Sequence, residues 1–171
     1  MQPRLGDALV PGLSRRVHAV RDEITQALGR RYDSCLVNYY RDGSTGMNFH
    51  ADPGQGEVWG FSTCVVSAGD ARLFVFRRIG APEQRCTFAL RAGDVVEMFG
   101  DCQAEYQHSV RTESVQAERT GPRISLVFKR GLATEQRVAP AERPEGRLHG
   151  AATVRGYARK TSMNGDPQGE D

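Results

Sequence analysis

A chain of 171 residues is long enough for one domain with its own apolar core, but a hydrophobic fraction of 39% and a single Trp leave part of it without packing partners. A formal charge of +2 is too mild to establish a polyanionic partner, and of the 23 basic residues only Lys129 and Lys160 are lysine. No apolar run is long enough for a membrane span, no signal-peptide pattern opens the chain, and Cys35, Cys64, Cys86 and Cys102 form no Cys-x-x-Cys pair, so reduced, mostly buried thiols in an intracellular reducing compartment, cytoplasm or nucleus, are expected.

Residues 1–12, with Pro3, Gly6, Pro11 and Gly12, read as irregular. Ser14 is a candidate N-cap, after which Val17, Val20, Ile24, Ala27 and Leu28 follow helical spacing until Gly29 closes the segment. This predicts an amphipathic helix packed against a sheet, with His18 on its surface. Short strands follow, beginning with Cys35–Tyr40. Arg41-Asp42-Gly43 is turn chemistry, and the next strand presents Met47, Phe49 and Ala51 on one face and Asn48, His50 and Asp52 on the other. Pro53 to Gly56 break it. Val58–Ser67, Arg72–Phe76, Cys86–Leu90, Val95–Phe99, Glu105–Val110 and Arg123–Lys129 are rich enough in β-branched and aromatic residues to be strands. Many short strands separated by turns predict a mainly β chain, an all-β sandwich or jelly roll, over residues 1–130 with the helix outside it. Residues 131–171 carry few large apolar groups and are expected to form a disordered tail.

The chemistry concentrates at His50 and Asp52. On an extended strand residues two apart project to the same face, so one imidazole and one carboxylate can meet one metal ion. His108, within Tyr-Gln-His-Ser-Val, offers a third ligand. Two histidines and a carboxylate on one face of an octahedral ion leave the opposite positions open, the arrangement of non-haem Fe(II) oxygenases.

A bare His-x-Asp is common, and the surrounding residues supply the weight. Asn38-x-Tyr40, Gly43, His50-x-Asp52, Ser67-x-Gly69-x-x-Arg72-x-Phe74, Tyr106-x-His108 and Pro122-Arg123-x-Ser125-Leu126-x-Phe128 fall in an order and spacing that resembles the AlkB-like Fe(II)/2-oxoglutarate dioxygenases. The resemblance implies Fe(II) bound by His50, Asp52 and His108, with 2-oxoglutarate and O2 as cosubstrates. It further implies that Arg123 anchors the distal carboxylate of 2-oxoglutarate, a role suited to a guanidinium fork, and that Asn38 and Tyr40 hydrogen-bond the same molecule. The implied activity is oxidative removal of an N-alkyl group from a nucleobase in DNA or RNA, in the repair of alkylation damage.

Three features depart from the family pattern. Lys129 stands where a second arginine is usual, keeps the charge without the planar fork, and is expected to be a weaker helper. Gly54 stands where nucleobase demethylases of this type commonly carry an acidic residue, and Glu57 is the nearest candidate to compensate. The residues before Asn38 contain only Tyr32 as an aromatic and offer no lid to stack a flipped base, which leaves Trp59 as a candidate stacking face. Methylated nucleic acid, single-stranded by preference, is therefore the expected partner of a monomer that binds no membrane. The same oxygenase chemistry on a protein side chain or small molecule is the alternative, and a non-enzymatic metal-binding jelly-roll module is the third reading.

Overall fold

The structure, a computed structural model, describes residues 11–113, 117–132 and 151–156. Helix α1 spans Pro11–Leu28. A proline suits the first turn, where its missing N–H has no partner to lose, and the helix accordingly begins before the Ser14 cap expected from the sequence. It ends at Gly29, whose φ of +66° favours glycine and whose N–H donates to the Thr25 carbonyl at 2.9 Å.

The remaining elements follow as β1 (Ser34–Tyr40), β2 (Met47–His50), β3 (Trp59–Gly69), β4 (Arg72–Arg78), β5 (Ala81–Leu90), β6 (Asp94–Phe99), the short helix α2 (Cys102–Glu105), β7 (Tyr106–Val110), β8 (Arg123–Gly131) and β9 (Ala151–Gly156). They form a five-stranded sheet, β1-β8-β3-β6-β9, and a four-stranded sheet, β2-β7-β4-β5. All the strand pairings are antiparallel. The mainly β jelly-roll expectation holds, with α1 outside the sheets. The sequence pattern predicts no helix where α2 stands and gives its last residue, Glu105, to the following strand, and it begins β5 only at Cys86.

Alternation along the strands builds two cores. Tyr40, Val65, Phe74, Phe76, Val96, Met98, Val110 and Val127 pack together between the sheets. Their neighbours Cys64, Val95 and Phe128 pack with Val17 and Ile24 of α1 and with Tyr32 on the other side of the larger sheet. Glu97, also buried, pairs there with Arg30 and accepts a hydrogen bond from Ser62 Oγ at 3.0 Å, so the helix connection is tied by charge as well as by apolar contact. Two of the four cysteines, Cys64 and Cys102, are buried, and burial pushes their thiols up to about 12 and about 11. Cys35 is half-buried and Cys86 is exposed, so the expectation of mostly buried thiols holds for half of them.

In the range expected to be a disordered tail, Ala151–Gly156 instead forms β9, paired residue for residue with β6 from Asp94↔Gly156 to Phe99↔Ala151. An exposed strand edge presents unpaired N–H and C=O groups, and any chain that can adopt an extended conformation satisfies them, whatever its apolar content. The other residues beyond 132 lie outside the described residues, as do residues 1–10; of the range 1–12 read from the sequence as irregular, Pro11 and Gly12 instead open α1.

Candidate active site

The site lies between the two sheets at one end of the smaller one. β2 and β7 carry His50 and His108 directly opposite each other, and the ligand atoms of His50, Asp52 and His108 all lie within 4.8 Å of one another. Asp52 Oδ1 is 3.5 Å from His50 Nε2 and 3.7 Å from His108 Nε2. The three residues that the sequence singles out as metal ligands are thus brought together, with the same oxygen of Asp52 facing both imidazoles.

One detail of their presentation differs from the sequence reading. Met47 pairs with Val110 and His50 with His108, so β2 spends one residue more than β7 between the two pairs, and a bulge interrupts its alternation. Met47 and His50 consequently line the same cavity, whereas plain alternation assigned them to opposite faces. Within the same irregular stretch the Asn48 carbonyl lies 2.8 Å from His50 Nδ1. A carbonyl only accepts, so Nδ1 carries the hydrogen and the Nε2 lone pair is left for the ion.

Burial sets the protonation of the partners. His108 is 6% exposed and stacks on Phe74 at 5.5 Å between centroids. Desolvation pushes its pKa down to about 4, which keeps the ring neutral at physiological pH. For Asp52, burial alone would raise the pKa, but the His50 hydrogen bond and the charges of Lys129 and His108 outweigh it, and the carboxyl lies below its ordinary range. The hydrogen bond to Asp52 raises His50 above the usual imidazole value.

A cavity of about 100 Å³ opens beside these groups, lined by Asn38 and Tyr40 of β1, Ser125 and Lys129 of β8, and the three ligands. Lys129 Nζ is 2.9 Å from Asp52 Oδ2, so the lysine at the departure position touches the carboxylate itself. Arg123 is 1% exposed and lies with its guanidinium carbon 5.1 Å from the Tyr40 ring centroid. Its Nη2 donates to Ser67 Oγ at 2.8 Å, while Nε and Nη1 are buried without a hydrogen-bond partner. Gly69, opposite Arg123 in the ladder, permits this close packing, because a Cβ there would lie 2.2 Å from the Pro122 carbonyl oxygen.

Arg72, the other arginine of the sequence pattern, is committed elsewhere. Its Nη1 donates to the Asp42 carbonyl at 2.9 Å and its Nη2 to the Thr45 and Arg111 carbonyls at 2.5 and 2.6 Å. It therefore clamps the β1–β2 connection to the chain just after β7. Gly54 also has a local explanation: φ is +78°, and its carbonyl accepts the N–H groups of Glu57, Val58 and Trp59. An acidic side chain there would be strained. Glu57 is exposed and does not line the cavity, and Trp59 opens β3 with Lys129 Nζ 5.9 Å from its ring centroid. Sequence reasoning missed Gln103 on α2, which accepts the Asp52 N–H at 2.8 Å. It lies far from Asp52 in the chain, and only its place in the segment before His108 could have drawn notice.

A fold of two antiparallel sheets holding two histidines and a carboxylate on a cavity edge, with a buried arginine alongside, defines a class. Residues 4–129 match the family described as the 2OG-Fe(II) oxygenase superfamily. The chain belongs to that superfamily, whose cofactor is Fe(II) and whose cosubstrates are 2-oxoglutarate and O2.

Within it the chain is AlkB-like. DNA oxidative demethylase ALKBH2 of Bos taurus is 28% identical over 135 residues, covering 75% of this chain and 46% of the relative. Alpha-ketoglutarate-dependent dioxygenase alkB homolog 3 of Rattus norvegicus is 29% identical over 135 residues, covering 72% and 43%. An uncharacterized protein of Acanthamoeba polyphaga mimivirus is 35% identical over 114 residues, covering 66% and 57%. The chain thus spans about half the length of the curated relatives it matches. The residues present fit the family's cofactors: the donor set is that of an open Fe(II) site, and the buried Arg123 guanidinium keeps donors without a hydrogen-bond partner that a carboxylate oxygen can accept from. Among the described residues no helix is long and apolar enough to cross a membrane.

Proposed function

We propose that this chain is an Fe(II)- and 2-oxoglutarate-dependent dioxygenase that oxidatively removes N-alkyl groups from nucleobases in nucleic acid, acting as a monomer in a reducing compartment. His50, Asp52 and His108 hold the metal. Arg123 receives the distal carboxylate of 2-oxoglutarate, Asn38 and Tyr40 bond the same molecule, and Lys129 assists from beside Asp52. The observation that carries the reading is Arg123, a buried guanidinium with two nitrogens that have no hydrogen-bond partner, which by strand alternation shares a face of β8 with Ser125 and Lys129, two residues of the cavity lining. Bound Fe(II), with its cosubstrates, supplies hydroxylation of a C–H bond on the alkyl carbon. Hydroxylation of a methyl on nitrogen gives a hemiaminal that loses formaldehyde, so a single oxidation restores the base.

Similarity to the DNA oxidative demethylase ALKBH2 and to the alpha-ketoglutarate-dependent dioxygenase alkB homolog 3 supports an oxidative role, and the first supports DNA as substrate. The mouth of the cavity bears on the strand preference. Leu36 lines the cavity and is nevertheless 55% exposed. Where no described residue covers the mouth, little offsets the few kcal/mol that extruding a base from a duplex costs. The open mouth and the turn at Gly54 also favour the second reading, the same chemistry on a protein side chain or small molecule.

The test is anaerobic loading with Fe(II) and 2-oxoglutarate, admission of O2, and formaldehyde measurement on a panel of methylated oligonucleotides, each alone and annealed to its complement. Release from the single strand at least about tenfold faster than from the duplex is expected, equivalent to roughly 1.4 kcal/mol of unmet unpairing cost. Equal or faster duplex turnover overturns the strand preference. Succinate production without formaldehyde from either form moves the assignment to the second reading.

A further inference from the structure

Asp52 lies beyond the last residue of β2, so no ladder bond fixes its backbone. Its N–H instead donates to Gln103 Oε1 at 2.8 Å, and Gln103 is 7% exposed. Because a backbone N–H can only donate, the atom it meets must be the amide oxygen, which turns Gln103 Nε2 toward Asp52 Oδ2 and Met98 Sδ, each at 3.5 Å. From another element Lys129 Nζ reaches the same Oδ2 at 2.9 Å. Both donors address Oδ2, and Oδ1 is the oxygen that faces the two imidazoles.

We propose that Gln103 is a positioning residue for the metal ligand Asp52: it fixes the amide of the ligand and, together with Lys129, engages Oδ2 so that Asp52 binds the ion through Oδ1 alone. The proposal rests on the reading of the triad as the metal site. Three single-atom protein ligands leave three of six octahedral positions open, enough for a bidentate 2-oxo acid and dioxygen. A carboxylate binding through both oxygens would take one of those positions. Groups that orient a metal ligand from behind are worth about 10- to 100-fold in metal affinity or activity.

Two variants of the full chain separate the two halves of the role. Gln103→Met keeps the volume and removes both the acceptor and the donor. Gln103→Glu keeps an oxygen for the Asp52 N–H and replaces the donor with an oxygen that repels Oδ2. Anaerobic Co(II) titration, followed by the visible spectrum, reads affinity and coordination independently of turnover. Gln103→Met should bind Co(II) about 10- to 100-fold more weakly with its far-ultraviolet circular dichroism retained. Gln103→Glu should bind Co(II) but with an altered visible band and a 2-oxoglutarate KM raised about tenfold or more, because Oδ2 is freed to take a second position. Parent-like Co(II) affinity in Gln103→Met overturns the proposal, as does a parent-like spectrum and KM in Gln103→Glu. If Gln103→Met does not fold, Gln103→Glu decides alone. His108→Ala is the control: Co(II) binding unchanged in it would refute the metal-site reading itself, whatever the Gln103 variants show.

Discussion

Strand β8 places two cations on the cavity side, and their surroundings differ. Lys129 meets a carboxylate of the chain, Asp52, at 2.9 Å. Arg123 is 1% exposed and has Ser67 Oγ and the Tyr40 ring against it, with no carboxylate beside it and two nitrogens outside hydrogen-bond geometry. Desolvation lowers its pKa, a sign that the charge is held at a cost. A buried cation paired inside the protein is satisfied before anything binds, whereas one left unpaired makes a bound anion far more favourable than it would be in water. On the proposed assignment the cation at the metal end is already paired within the protein, and the one at the other end is left for the cosubstrate carboxylate to pair.

The largest effect that can break this comparison is at the metal end. His50→Ala, Asp52→Ala and His108→Ala should each reduce Fe(II)-dependent 2-oxoglutarate decarboxylation to background, because two ligands neither hold the ion nor fix its open positions. Decarboxylation at the parent rate in any of the three would remove that residue from the ligand set.

Next in size is the contrast between the cations. Arg123→Ala should raise the 2-oxoglutarate KM by the equivalent of about 2–5 kcal/mol, roughly 30-fold to several thousand-fold, with Fe(II) affinity little changed. Lys129→Met should do the reverse, shifting the metal titration more than the cosubstrate requirement. Isothermal titration of Fe(II) and of 2-oxoglutarate into both variants separates the outcomes, and parallel shifts in the two would show that the cations act as one unit.

Much of this was legible in advance, and the rest was not for identifiable reasons. His50, Asp52, His108 and Arg123 stand out because their residue types and order carry the chemistry whatever the exact strand register. The bulge in β2 was hidden because an extra residue is defined only against its partner strand, and β7 lies far along the chain. Gln103 was hidden because its meaning is a contact with Asp52, 51 positions away. β9 was hidden because its composition is that of a tail and its pairing depends on the open edge of β6.

A smaller effect concerns protons. Binding a divalent ion requires both imidazoles unprotonated. The hydrogen bond to Asp52 raises the His50 pKa above the ordinary imidazole value, and burial pushes His108 down to about 4. As pH falls through the His50 pKa, one proton competes with the metal, and affinity should drop about tenfold per unit. Two-proton dependence already near pH 6 would show that His108 is less desolvated than its burial indicates.

The smallest effect lies away from the site. Removing residues 151–171 exposes the backbone edge of β6, and stability should fall by about 1–2 kcal/mol while Fe(II) and 2-oxoglutarate affinities stay at parent values. Thermal melting beside the two titrations checks it, and a changed affinity would tie β9 to the cavity after all.

The extra residue of β2 has a consequence for tolerance of length change. Met47 faces the cavity, and so does His50 after the bulge; shortening the segment by deleting Asn48 would restore plain alternation and still leave the histidine facing inward. What the deletion would remove is the carbonyl 2.8 Å from Nδ1, and with it the instruction that keeps the hydrogen off Nε2. At this strand a one-residue gap in the gene product would preserve the address of the imidazole and erase its tautomer, so a comparison of sequences by residue identity would score the shortened chain as intact.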